Sequence, residues 1–158
     1  MRIKKEIVVE TIKNFNGLKH RIEFVGCING VKYINDSKAT NPDSTCLALE
    51  CFDNVILLLG GVDKGLNYND IFKFQNIKYI ICFGQAKEII YKSAIDFGLT
   101  NICKCNNMAD ALHYAQKIAF ENDIVLLSPA CSSFDEFNSY EHRGDKFIEL
   151  VKNDLGGL

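Results

Sequence analysis

Apolar and polar positions change their period along this chain, and each change marks an element. Val8, Ile12 and Phe15 recur at helical spacing, which predicts a short helix over residues 6–15, stopped by Asn16-Gly17. Two short strands follow at 21–27 and 31–35, with Asn29-Gly30 between them as a hairpin turn. A helix is expected over 41–52, with Pro42 in its first turn and Asp43 where the helix dipole favours an anion. Val55-Ile56-Leu57-Leu58-Leu59 is a continuous apolar run ended by Gly60-Gly61, and its length suits a strand buried on both faces. Helix 68–74, strand 79–83, helix 85–97 closed by Gly98, strand 101–104, helix 108–120, strand 124–127 and helix 141–152 continue the alternation. Leu155-Gly156-Gly157-Leu158 reads as a loose tail.

Strands alternating with helices predict an α/β fold. The expected sheet is Rossmann-like and mostly parallel, flanked by helices, with the N-terminal hairpin as an antiparallel edge. No internal repeat, low-complexity tract or linker divides the 158 residues, which read as a single domain, 1–158. In such sheets ligands bind beyond the carboxyl ends of the strands. That rule selects three loops: residues 35–41, 60–65 and 128–137.

Composition narrows the class without choosing a function. The chain is 47% hydrophobic and 24% charged with a formal net charge of −2, which argues against a general nucleic-acid binder, since those carry a basic face. No apolar run reaches the ~18 residues of a membrane span. The start, Met1-Arg2-Ile3-Lys4-Lys5-Glu6, lacks the apolar stretch of a secretory signal. The seven cysteines, an odd number, are therefore read as reduced thiols of a cytoplasmic protein. Cys103 and Cys105 are the closest pair, but no second Cys or His cluster accompanies them, and no metal ligand is assigned.

The three loops carry the candidate chemistry. Asn35-Asp36-Ser37-Lys38-Ala39-Thr40-Asn41-Pro42 supplies an acceptor, a cation and hydroxyls at a helix N-terminus, where backbone N–H groups favour anions. An Asp at a strand end also suits ribose hydroxyls. An Asx turn with an N-cap explains the same residues without a ligand. In Gly60-Gly61-Val62-Asp63-Lys64-Gly65, the glycines permit close backbone approach and Lys64 offers a point charge for a carboxylate or phosphate. A flexible surface loop with a solvated lysine is the plain alternative. Neither Gly-x-x-x-x-Gly-Lys-Ser/Thr nor Gly-x-Gly-x-x-Gly occurs in the chain.

The third loop, Ser128-Pro129-Ala130-Cys131-Ser132-Ser133-Phe134-Asp135-Glu136-Phe137, clusters hydroxyls suited to a carboxylate. Cys131 as a nucleophile needs a base and an orienting group, for which His142 and Asp135 are formal candidates. A buried, inert thiol is the plain alternative. Glu141-His142-Arg143-Gly144-Asp145 opens the last helix and reads equally as a solvated charged face or a structural ion pair. Arg21, after His20, suits phosphate binding or is a surface arginine.

His20-Arg21-x-Glu23, Asn35-Asp36-Ser37-Lys38-Ala39-Thr40-Asn41, Gly60-Gly61-x-Asp63-Lys64-Gly65, Leu127-Ser128-Pro129-Ala130-Cys131-x-Ser133-Phe134-Asp135-x-Phe137 and Arg143-Gly144-x-x-Phe147 occur in that order. Together they resemble the C-terminal domain of the D-glutamate-adding muramyl ligases, the UDP-N-acetylmuramoyl-L-alanine:D-glutamate ligases. The resemblance spans nearly the whole chain. The Asn-Asp-Ser-Lys-Ala-Thr-Asn block is specific, because related dipeptide and tripeptide ligases and folylpolyglutamate synthase typically carry an Ala-His or Asn-Ala-Asn-Pro style loop there. Tyr140 stands where the family often has Phe, and Phe134 where some members have Leu.

The resemblance implies an ATP- and magnesium-dependent ligase of peptidoglycan synthesis. ATP activates the carboxylate of UDP-N-acetylmuramoyl-L-alanine as an acyl phosphate, and the amine of D-glutamate attacks it. By the same resemblance, Arg21 reaches ATP phosphate and Asp36 the ribose hydroxyls. Lys38 is the catalytic residue, facing the transferred phosphoryl group or the reacting carboxyl. Thr40 and Lys64 bind one glutamate carboxylate, and Ser133 with backbone near Tyr140 binds the other. The UDP-binding N-terminal domain and the central ATPase domain, which holds most of the ATP and the metal, have no counterpart in this sequence. The chain is thus expected to be a domain of a longer enzyme, inactive alone. A free-standing nucleotide- or amino-acid-binding regulatory module is the competing reading, and a Cys131 acyl-transfer enzyme a third.

Overall fold

The computed structural model describes residues 17–155; the helix expected over 6–15 lies outside them. Six strands and five helices are described: β1 Glu23–Ile28, β2 Val31–Asn35, α1 Pro42–Leu49, β3 Val55–Gly60, α2 Asn69–Phe72, β4 Ile77–Phe83, α3 Lys87–Phe97, β5 Ile102–Lys104, α4 Met108–Ile118, β6 Ile124–Ala130 and α5 Tyr140–Leu155. The strand order is β1-β2-β6-β3-β4-β5. β1 and β2 pair antiparallel and every other pairing is parallel, as the alternation of strands and helices implied. β6, last in sequence, inserts between β2 and β3.

The continuous apolar runs are strands because both of their faces are covered. Along β3, Leu57 and Leu59 pack with Ala48, Leu49, Ile71, Phe72, Ile90 and Ala94, buried apolar residues from α1, α2 and α3. The alternate residues Ile56 and Leu58 face Met108, Ala111, Leu112 and Ala115 of α4 and Phe147 and Val151 of α5. Helix ends follow their local chemistry. The Asn41 side chain accepts from Ser44 N at 2.9 Å to start α1, and Gly98 closes α3 in the left-handed conformation, φ 102°.

Several boundaries moved for physical reasons. β1 begins at Glu23 rather than 21, because His20 and Ile22 take positive φ (63° and 46°) and break the extended run. β6 runs on to Ala130, through a Ser-Pro pair that the sequence marked as loop. Between the pairs Leu58↔Leu127 and Gly60↔Ala130 the register shifts, so Ser128 and Pro129 together face Leu59. A bulge is where a strand tolerates a residue without an N–H.

Candidate functional site

β2, β6 and β3 are neighbours, so the chain segments leaving their carboxyl ends lie side by side. These are the three loops selected from sequence. The first and second meet where Lys64 Nζ donates to Thr40 O at 3.3 Å. The second and third are joined by backbone, with Val62 N donating to Ser132 O at 2.8 Å. Lys64 is exposed, Thr40 and Lys38 are half-buried, and Ser133 is buried. Tyr140 is the first residue of α5, and its N–H therefore has no acceptor within the helix. Its carbonyl accepts from Ser37 Oγ at 2.8 Å, and Lys38 Nζ stands 5.8 Å from its ring centroid. Thr40, Lys64, Lys38, Ser133 and Tyr140 thus belong to segments that follow the carboxyl ends of the central strands.

Arg21 is exposed at the turn before β1, and its charge bears on both Asp36 and Tyr140. Asp36 does not present itself to solvent as the ribose reading requires. It is 1% exposed; Oδ1 accepts from Ile22 N at 3.2 Å and Oδ2 from Ser128 Oγ at 2.7 Å. Burial raises its pKa, against the Ser128 and Ile22 bonds and the Arg21 charge, which favour the anion. The strand-end carboxylate is drawn inward because two donors, one from the adjacent strand, are already there.

A second network fixes the backbone around Lys38. Asn35 Oδ1 accepts from Ser37 N at 3.1 Å, and Asn35 Nδ2 donates to Glu23 Oε2 at 3.0 Å. Those two partners fix which end of the amide is nitrogen. Nδ2 also lies 3.0 Å from His20 Nδ1, which must then be the acceptor, leaving the proton of the neutral ring on Nε2. His20 O in turn accepts from Lys38 N at 3.0 Å. The imidazole packs so tightly on α5 that a Cβ at Gly144 would collide with Nδ1.

Sequence reasoning missed the residue that unites the loops. Arg143, weighed as a solvated face or an ion pair, is fully buried and among the described residues pairs with no carboxylate. Nε donates to Ser37 Oγ at 2.9 Å, and Nη2 donates to Ser37 O at 2.9 Å and to Cys131 O at 3.0 Å. Nη1 has no partner among the described residues and lies against Gly61, where a Cβ would collide with Ser132 O. One guanidinium from α5 therefore touches all three loops. Burial pushes its pKa down to about 10, still well above neutral, so it remains a cation. The helical spacing of Arg143, Phe147 and Val151, four residues apart, was the available signal: it puts the arginine on the buried face of α5.

Cys131 is not a poised nucleophile. It is 1% exposed, its sulfur lies 3.2 Å from Tyr68 Oη, and burial pushes the thiol up to about 11. His142, the formal base, instead accepts from Asn138 N at 3.3 Å and stands edge-on to Phe137.

Comparison with known proteins places this arrangement. Residues 20–131 match the Mur ligase, glutamate ligase domain family; Ser133, Tyr140 and Arg143 lie beyond the matched stretch. The chain is 40% identical over 148 residues to a UDP-N-acetylmuramoylalanine–D-glutamate ligase of Bacillus subtilis, covering 92% of this chain and 33% of that one. It is 48% identical over 148 residues to the ligase of the same name from Francisella philomiragia, covering 90% of this chain and 35% of that one. It thus spans about a third of the length of these relatives. Among solved structures it is similar to a bifunctional folylpolyglutamate synthase/dihydrofolate synthase from Yersinia pestis, with TM-score 0.64 and 13% identity over 99% of this chain and 35% of that one. It is also similar to a UDP-N-acetylmuramate-alanine ligase from Thermotoga maritima, with TM-score 0.62 and 15% identity over 93% and 33%. At such identities these two show the fold alone. A family match over most of the chain, with the first and second loops and Cys131 inside it, leads to one conclusion: the chain belongs to the Mur ligase family and carries its glutamate ligase domain.

Proposed function

We propose that this chain is the D-glutamate-binding domain of a cytoplasmic ligase that adds D-glutamate to UDP-N-acetylmuramoyl-L-alanine. The observation that carries the reading is the meeting of the first and second loops, with the Lys64 ammonium at the Thr40 carbonyl beside the buried Ser133 segment. An amino acid with two carboxylates needs two separated donor sets, and charge-assisted bonds are the strong ones. Lys64 and Thr40 form one set. The Ser133 hydroxyl and the N–H at the head of α5, Tyr140, which has no acceptor within the helix, form the other. Fixing both carboxylates makes chirality readable, because the mirror image cannot bring its amine to the same place.

Lys38 Nζ stands 5.8 Å from the Tyr140 ring centroid, and Tyr140 also feels the Arg21 charge; an ammonium there stabilises charge on a reacting carboxyl or phosphoryl group. Arg21 serves the ATP phosphates. Asp36 serves the nucleotide side by anchoring the Arg21–Ile22 turn, and direct contact with ribose hydroxyls requires that turn to open. Activation of the acceptor carboxylate as an acyl phosphate is the chemistry ATP supplies in the whole ligase. Among the described residues no three His, Cys, Asp or Glu side chains converge on a metal-sized site. The partners of this chain are then the remaining parts of a longer enzyme. No helix of the described residues is long and apolar enough to cross a membrane.

Titration of the isotope-labelled chain with D-glutamate, L-glutamate and ADP, followed by backbone amide shifts, tests the reading. Shifts at Thr40, Lys64 and Ser133 with D-glutamate, smaller with the L-isomer, are expected. D-glutamate shifts confined to residues away from the three loops would sink the site assignment.

A further inference from the structure

The loop after β3 carries a carboxylate and an ammonium side by side, Asp63 and Lys64, yet the structure sends them in different directions. Lys64 Nζ reaches the Thr40 carbonyl. Asp63 instead accepts from Tyr68 Oη at 2.7 Å through Oδ1. Tyr68 is 2% exposed, and its oxygen also lies 3.2 Å from Cys131 Sγ. A phenol has one proton, and here it goes to the carboxylate, so the thiol is the donor to the phenol oxygen. The result is a directed chain from Cys131 to Tyr68 to Asp63, running from the third loop into the second.

A free carboxylate next to Lys64 would compete with any ligand carboxylate for the ammonium. The structure holds Asp63 out of that competition. We propose that Tyr68 is a positioning residue: by binding Asp63 it keeps Lys64 available to the carboxylate of an amino-acid ligand. This rests on the Lys64 role given under the proposed function.

Tyr68→Phe keeps the aromatic volume and removes the hydroxyl, and adding Asp63→Asn removes the competing charge. The first readout needs no ligand: the rate at which limiting trinitrobenzenesulfonate modifies Lys64, followed by peptide mass spectrometry on chains whose amide spectra show them folded. Tyr68→Phe is expected to slow Lys64 modification by about twofold to fivefold, the range an exposed ion pair spans. The double variant restores the wild-type rate. The D-glutamate dissociation constant rises and recovers by the same factor. Asp63→Asn alone leaves the Lys64 rate unchanged, because Tyr68 already holds that side chain away.

An unchanged rate in Tyr68→Phe, a slowing that Asp63→Asn does not reverse, or a faster rate in Asp63→Asn alone would each overturn the proposal. Lys64→Ala separates it from the reading beneath it. If D-glutamate shifts survive that substitution, Lys64 is not a ligand residue, while the modification rates still decide whether Tyr68 sequesters Asp63.

Discussion

Replacing Arg143 with methionine tests whether one buried cation assembles the site. Methionine keeps much of the side-chain length and removes the three hydrogen bonds to Ser37 Oγ, Ser37 O and Cys131 O. Bonds from a charged donor contribute about 1.5–3 kcal/mol each. Burial of the guanidinium opposes them: a pKa brought down from 12.5 to about 10, the net of burial and of nearby acidic groups that raise it, corresponds to a net penalty of about 3 kcal/mol. The three bonds together, about 4.5–9 kcal/mol, so offset, leave about 1–6 kcal/mol lost on substitution. With a urea slope of ~2 kcal/mol per molar, the unfolding midpoint should fall by about 0.5–3 M. Amide shifts in the folded variant should change in all three loops, at Ser37, Gly61 and Cys131. Arg143→Lys should recover only part of the loss, since a point ammonium does not reach Ser37 and Cys131 with fixed geometry at once. A stability loss under about 1 kcal/mol would show that the buried cation is energetically neutral, as buried charges can be, and would refute the reasoning. So would shift changes confined to α5.

Asp36→Asn keeps an acceptor for Ile22 N. Burial raises the Asp36 pKa above its unfolded value, so the stability it contributes is full below the ordinary carboxylate range and is lost as pH rises through the folded value. The variant should melt above the wild type at neutral pH, with the gap closing in acid; a gap that widens in acid would contradict the assignment. Cys131 should resist alkylation by iodoacetamide in the native chain at mildly alkaline pH while the exposed Cys27 and Cys51 react, and should react once urea unfolds the chain. Rapid native modification of Cys131 would count against its burial. Gly144→Ala should cost about 1–3 kcal/mol by overpacking against the His20 imidazole, read as a lower urea midpoint with shift changes at His20 and Asn35. An unchanged midpoint would mean that the ring moves aside freely.

The sequence by itself determined most of the described elements and the addresses of the candidate site. Residues 55–59 and 124–127 announce buried strands by unbroken apolar composition, because a strand covered on both faces has no polar side to show. Their carboxyl ends, with the block from Asn35 to Asn41, point to the three loops by the rule for open parallel sheets. What the sequence left open was which of those loops touch. That depends on β6 inserting between β2 and β3, a choice made by long-range packing that no local pattern encodes. The same packing turned Asp36 inward, where Ser128 from the adjacent strand waits for it, and turned Arg143 from a surface charge into the post between the loops. Hydrogen-bond partners ninety or a hundred residues apart become visible only when the sheet is assembled. Burial then decides whether a charged residue meets solvent, a ligand or its own backbone.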